Sequence, residues 1–242
     1  ALPGARRALV LGGGLVGFKA AYGLMRRGLA VTMLIRSGYP LSMQVDAVAG
    51  RMILEELTAH GLDVRVDIAA EAFEGRENVQ AARLSDGSWM DCDLVVIGKG
   101  VLPALDFVPR DRLAVDLGLV VDQFLQTSTP HVFAAGDVAE GLNLITGQRQ
   151  VIATWPNACS QGRTAGINMA GGMDKNEGLS SNICGFLGST VASVGITNPE
   201  NGDFEEVVSQ DPAKGRYRKL VWNKKDELVG AVLMGKAADI GV

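Results

Sequence analysis

Gly12, Gly14 and Gly17 stand between an apolar run, Ala8–Leu11, and an Ala/Leu-rich stretch that follows Phe18. A G-x-G-x-x-G spacing does its chemistry with backbone. Gly12 permits a tight turn, Gly14 lets a pyrophosphate approach the chain, and Gly17 lets a helix lie close to the strand before it. Together with Leu15 and Val16 they open a helix whose free N–H groups and positive dipole end face an anion. The next apolar run, Ala30–Ile35, ends at Arg36 and Ser37. An acidic residue at such a strand end would take a ribose 2′-hydroxyl. Arg36 offers instead a fork that pairs bidentately with a 2′-phosphate, and Ser37 a hydroxyl that can donate to it. This leans the reading from NAD toward NADP, with a solvated surface arginine as the alternative. A third chemical position is Asp137, at the end of Val132-Phe133-Ala134-Ala135-Gly136. A strand that ends in small residues and a glycine lets a ligand come against the backbone, and a carboxylate there suits sugar hydroxyls.

The elements that must position these residues follow from periodicity. Strands are expected at 6–11, 30–35 and 94–97, with a helix at 15–27 and another at 46–60 stopped by Gly61. Val64, Val66 and Ile68 alternate as a strand, and 79–84 with 88–90 flank the turn Ser85-Asp86-Gly87 as a hairpin. The continuous apolar run Leu94–Ile97 predicts a strand buried on both faces. These elements compose a nucleotide domain over residues 1–100, ending at Gly98, Lys99 and Gly100. A second unit, 101–175, holds short strands at 119–121 and 132–135 and a helix at 157–169. A third, 176–242, reads as antiparallel strands at 191–196, 205–208, 217–222 and 228–233.

The bulk numbers exclude several classes. The 242 residues are 47% hydrophobic with a net charge of −4 and no basic run, which argues for a globular protein and against a nucleic-acid partner. Cys92, Cys159 and Cys184 are too widely spaced for a disulfide framework or a metal knuckle; they read as small buried residues in a reducing compartment. Arg6-Arg7 before an apolar run could pass for a leader, but the run breaks at three glycines. No stretch is long enough to span a bilayer, so the expected location is the cytoplasm, with no membrane partner.

The segment Thr127-Ser128-Thr129-Pro130-His131-Val132-Phe133-Ala134-Ala135-Gly136-Asp137 resembles the second flavin-binding motif of the pyridine-nucleotide–disulfide oxidoreductase flavoproteins. The resemblance implies that Asp137, with Gly136, contacts the ribityl chain of FAD. It implies too that the glycine-rich unit is the family's NAD(P)-binding domain. Trp155-Pro156-Asn157-Ala158 and Gln161-Gly162-Arg163 resemble the helix N-terminus that approaches the flavin ring, which marks Trp155 and Asn157, with a buried packing tryptophan as the alternative reading of Trp155. Leu228–Leu233 resembles the C-terminal interface domain, a dimer-forming element in relatives, which implies a homodimer. The pattern is most similar to the NADH:rubredoxin reductase and nitrite reductase flavin-domain branch. The implied fold is α/β: a Rossmann-like NAD(P) domain, part of a FAD domain and an antiparallel β interface domain.

The chain departs from the family pattern at several points. It lacks the first G-x-G-x-x-G of the family, which predicts a missing N-terminal FAD segment and an incomplete flavin sheet. Ile35-Arg36 resembles NADP-dependent glutathione reductases. Lys19 stands where the family usually has Glu, and either reaches the nucleotide or an acidic partner in the missing segment, or points to solvent. Lys99 lies where the family's loop passes the nicotinamide, or is an exposed loop lysine. The implied activity is hydride transfer from NAD(P)H to FAD, and then electrons to an acceptor. Without a C-x-x-C dithiol, a one-electron carrier such as rubredoxin or another iron–sulfur protein is favoured over a disulfide, with a small-molecule acceptor also open. A flavin-free dehydrogenase would need an acid/base such as Tyr-x3-Lys or a His–Asp pair, and none is present. A regulatory module that binds NAD(P) without turnover is the remaining alternative.

Overall fold

The computed structural model describes residues 4–176, 178–199 and 202–240. The first group of elements is β1 (Arg7–Leu11), α1 (Leu15–Met25), β2 (Ala30–Ile35), α2 (Ala47–Ala59), β3 (Asp63–Val66), β4 (Ala70–Glu74), β5 (Ala81–Leu84), β6 (Trp89–Asp91) and β7 (Leu94–Ile97). Strands β3, β2, β1 and β7 form one parallel sheet in that order, with Val10 beside both Met33 and Val96. Alternation sends the side chains of β1 to two cores. Val10, with Met33 and Ile35, packs under α1 and α2, while Leu9, Leu11 and Leu34 face Ala82 and Leu84 of β5 and Cys92, which follows β6. Helix α2 begins where Asp46 caps it, its carboxylate accepting from the Val48 and Ala49 amides.

Two expectations need correction here. Strand β7 is an edge strand among the described elements, so it is only half-buried and Ile97 is 64% exposed. A continuous apolar run reports burial on both faces only when neighbours flank it on both sides. Strand β4 was not foreseen. Its Ala-Glu-Ala-Phe-Glu sequence has little β-propensity, and pairing with β5 makes it a strand.

The middle group holds β8 (Leu119–Val120), β9 (Ala139–Leu142), β10 (Arg149–Gln150) and α3 (Trp155–Met169), around a smaller core that includes Val121, Leu125, Ala134 and Ala165. The expected strand at 132–135 does not form. The chain turns at His131, with φ of 64°, and the segment touches 125–127 through an isolated bridge and a few backbone hydrogen bonds. Pro130 lacks the N–H that would extend the pairing.

The last group is one antiparallel sheet of β11 (Ser181–Phe186), β12 (Ser189–Gly195), β13 (Phe204–Asp211), β14 (Arg216–Asn223) and β15 (Leu228–Gly235), in the order β11-β12-β15-β14-β13. Strand β11 was also unforeseen. Cys184, Phe186, Val191, Tyr217, Val232 and Met234 of this sheet share the core of α1 and α2, and Phe186 meets Phe18 edge-on at 5.0 Å. Cys92 and Cys184 are buried as expected, but Cys159 is exposed on α3. Among the described residues no helix is long and apolar enough to cross a membrane, and no His/Cys/Asp/Glu group could hold a metal ion.

Candidate functional site: a glycine-walled pocket at the strand ends

The carboxyl ends of β1, β2 and β7 open on one cavity of about 350 Å³. Residues 11–14, 34–37 and 98–100 line it, closed by Ser42, Met43 and residues 68–70. The floor is a packed set of glycines. A Cβ on Gly17 would lie 2.0 Å from the Gly12 carbonyl oxygen, one on Gly12 2.4 Å from the Gly98 oxygen, and one on Gly98 2.8 Å from the Gly17 nitrogen. Gly12, at φ of 107°, adopts a conformation that side chains rarely take. Three chain segments therefore touch through backbone alone, which brings the α1 N-terminus against the ends of β1 and β7.

Gly14 differs from these three. It is the N-cap of α1 at φ of −75°, and a Cβ there would meet nothing within 4 Å. It brings no side chain to cap the helix. The first-turn amides, those of Leu15, Val16 and Gly17, have no partner within the helix. Gly14 thus leaves open space at the α1 N-terminus, the end of a helix that suits a phosphate. The cavity lining carries Arg36 and Lys99 and no carboxylate. Both cations are exposed, and the guanidinium of Arg36 makes no hydrogen bond or ion pair among the described residues. The Ser37 hydroxyl donates to the Tyr39 carbonyl at 2.9 Å, so toward an incoming group it is an acceptor unless it turns.

The structure therefore gathers Gly12, Gly14, Arg36, Ser37, Gly98, Lys99 and Gly100 around one cavity, with Leu15, Val16 and Gly17 in the helix turn beside it. Lys19 does not line the cavity. Its ammonium donates to the Gly185 carbonyl at 2.7 Å and ties α1 to β11. Ser42, Met43 and Ile68–Ala70 were not foreseen. Residues 68–70 follow β3, and the rule that ligands sit beyond the carboxyl ends of parallel strands would have found them. Gly13, at a variable position of the G-x-G-x-x-G spacing, is confined too: a Cβ there would press on the Ile35 side chain at 2.7 Å.

The second constellation lies where a short 3-10 turn, Gly136–Val138, meets α3. The Gln161 side chain accepts from the Gly136 amide at 2.7 Å and fixes that turn to the helix. Asp137 is exposed, with no partner among the described residues. Asn157 is buried and spends its amide on the Ile152 carbonyl at 2.9 Å, so it supports the helix start. Trp155 is 83% exposed, not a packing tryptophan. Helix α3 begins at Thr154 without a side-chain cap, and the buried Thr154 hydroxyl has no hydrogen-bond partner. An orphaned hydroxyl, uncapped helix amides and a free carboxylate form a set of polar groups suited to a polar, hydroxyl-bearing cofactor such as FAD.

The chain belongs to the pyridine nucleotide-disulphide oxidoreductase family, which matches residues 1–162, and residues 181–240 match the rubredoxin NAD+ reductase C-terminal domain. It is 30% identical to nitrite reductase [NAD(P)H] of Bacillus subtilis over 97% of its own length and 28% of that protein's. It is 31% identical to the NADH-dependent phenylglyoxylate dehydrogenase subunit epsilon of Aromatoleum evansii, over 100% of this chain and 58% of the relative. In fold it is similar to the crystal structure of the ferredoxin reductase of the CYP199A2 system from Rhodopseudomonas palustris, with a TM-score of 0.87 at 24% identity, covering 99% of this chain and 58% of that one. The chain thus spans less than two thirds of the length of these relatives.

Proposed function

We propose that the chain serves a FAD-dependent NAD(P)H oxidoreductase. In this reading residues 1–100 are the NAD(P) domain, 101–175 the C-terminal part of a FAD-binding domain and 176–242 an interface domain. The observation that carries it is the cavity at the three strand ends, whose charged lining is cationic and whose glycine floor sets the α1 N-terminus against the ends of β1 and β7. The bound cofactors would supply hydride transfer from nicotinamide to flavin and onward transfer of electrons to a small redox protein of the rubredoxin or iron–sulfur kind. The match of residues 181–240 to a rubredoxin reductase domain supports that class of acceptor.

The chain's own residues bind and orient. The amides of residues 15–17 would take the pyrophosphate, and Lys99 would sit by the nicotinamide end. The free Arg36 guanidinium favours a 2′-phosphate, hence NADPH over NADH. Asp137 would accept from ribityl hydroxyls, while the Thr154 hydroxyl and the α3 N-terminus would face the electron-rich edge of the flavin. Calorimetric titration with NADPH and NADH tests the nucleotide half. NADPH binds about tenfold or more tightly, the worth of one charge-assisted hydrogen bond, and Arg36→Ala removes the difference. Equal binding of both, unchanged in the variant, would make Arg36 a surface residue and the protein NADH-linked. Diaphorase activity of the full-length protein, reconstituted with FAD, tests the other half, and its absence there would sink the electron-transfer reading.

A further inference from the structure

Segment 36–46, between the end of β2 and the start of α2, forms one wall of the cavity through Ser37, Ser42 and Met43. It contains no strand or α-helix, so its path is set by anchors. Near its middle the Leu41 amide donates to the Gly13 carbonyl at 2.8 Å. At its far end the anchors come from the C-terminal sheet. The Asn198 side-chain amide donates to the Val45 carbonyl at 3.0 Å. One oxygen of Asp46 caps α2, and the other accepts from the Tyr217 hydroxyl at 2.5 Å and lies 3.3 Å from the Lys219 ammonium. Lys219 also reaches Glu206 at 2.9 Å. Tyr217 is 1% exposed, Lys219 4% and Asp46 8%.

A buried lysine between two carboxylates adds little net stability over an apolar residue of similar size, because desolvation offsets the attraction. Its geometry is demanding, however, and so it orients whatever it holds. Here it holds the residue that ends the cavity wall. We propose that Tyr217, Lys219 and Asn198 are positioning residues for the nucleotide pocket, acting through Asp46 and Val45 on the Ser42–Met43 wall. Nucleotide binding and docking of the C-terminal sheet then strengthen each other, and the coupling is reciprocal. This rests on the nucleotide reading of the cavity.

The test compares Tyr217→Phe, Lys219→Met and Asn198→Ala with Ser189→Ala. Ser189 belongs to the same interface but bonds Glu56, near the other end of α2, at 2.8 Å. NADPH and NADH affinities are measured at a temperature where circular dichroism shows each variant folded, with amide exchange followed over 41–48. Each of the first three variants weakens binding about fivefold, the lower end of typical coupling, and speeds exchange in 41–48. Ser189→Ala lowers the melting temperature but leaves both readouts alone. Saturating NADPH slows exchange at 216–221 in the unmodified protein. The positioning role is overturned if the folded variants bind as the unmodified protein does, or if Ser189→Ala weakens binding equally. If the unmodified protein binds neither nucleotide, the cavity reading fails and the coupling fails with it. Where Tyr217→Phe or Lys219→Met does not fold, Asn198→Ala decides, since it removes one hydrogen bond to a backbone carbonyl.

Discussion

The two candidate sites of this chain are built on opposite plans. Around Gly12 the geometry is set by backbone against backbone, with a parallel ladder on both sides of β1 and three glycines that admit no side chain. Around Asp137 the supporting strands β8 and β10 are two residues long, and the polar groups stand open: an exposed carboxylate, an unpaired Thr154 hydroxyl and an exposed Trp155. The first region is held in one shape by packing. The second offers donors and acceptors whose partners arrive with whatever docks there. One region should therefore fail through shape and the other through lost hydrogen bonds.

The largest expected effect separates glycines within one motif. Gly17→Ala forces a methyl to within 2.0 Å of the Gly12 carbonyl oxygen. Backbone on both sides leaves little room to relax, so stability falls by about 3 kcal/mol. For a chain of this size that is a melting temperature lower by about 6–12 °C, with nucleotide binding lost. Gly14→Ala meets nothing within 4 Å. It melts within about 2 °C of the unmodified protein, as a surface substitution does, yet binds NADPH at least about tenfold more weakly because its methyl stands in the phosphate approach. Thermal melts and titrations of the pair check this. Matching melts would show that glycine packing does not shape the region.

An intermediate effect tests the second region. Asp137 has no partner among the described residues, so Asp137→Asn leaves the melting temperature unchanged. In the full-length protein it weakens FAD binding by about tenfold, the worth of a charge-assisted hydrogen bond, and leaves NADPH affinity alone. Flavin fluorescence on titration reads the first and calorimetry the second. A parallel loss of NADPH affinity would mean that the two regions do not act independently.

The same contrast governed what could be read from the residues alone. Strands β1, β2 and β7 and helices α1 and α2 announce themselves by period, cap and glycine spacing, which are local signals. Gly12, Gly14, Arg36 and Gly98 could be placed at one site because parallel strands bring their carboxyl ends together. Strands β4 and β11 escaped because Ala-Glu-Ala-Phe-Glu and Ser-Asn-Ile-Cys-Gly-Phe have weak propensity, and their partners β5 and β12 decide their state. The run at 132–135 has strand composition but pairs only locally, at 125–127, past a turn at His131. The link from Tyr217 to Asp46 spans 171 residues and leaves no local trace. Lys19 is the sharpest case. Its alternatives were the nucleotide, an acidic partner or solvent, and its bond is to a carbonyl of a strand that period alone did not show.

The smallest effect lies at the base of the β3-β2-β1-β7 sheet, on the side away from the glycines, and tests what holds the start of β1 by acid. The Arg7 side chain bonds Asp93 at 3.0 Å and Asp91 at 2.7 Å, and Asp93 also accepts from the Arg6 and Arg7 amides at 2.9 Å. The guanidinium first, and then the two amides, hold the Asp93 carboxyl at about 2, below its ordinary value of 3.8. A carboxyl depressed on folding stabilises the protein above its unfolded value, and that contribution is lost as the folded group takes up its proton. The loss therefore falls between about pH 4 and pH 2. Asp93→Asn flattens this part of the stability profile and leaves the profile above pH 5 parallel to the original and slightly lower. Urea melts from pH 2 to pH 7 on Asp93→Asn and on the unmodified protein read the difference. An acid limb that persists in Asp93→Asn would place the titrating group elsewhere and remove the clamp at the start of β1 from the features that set the nucleotide region apart.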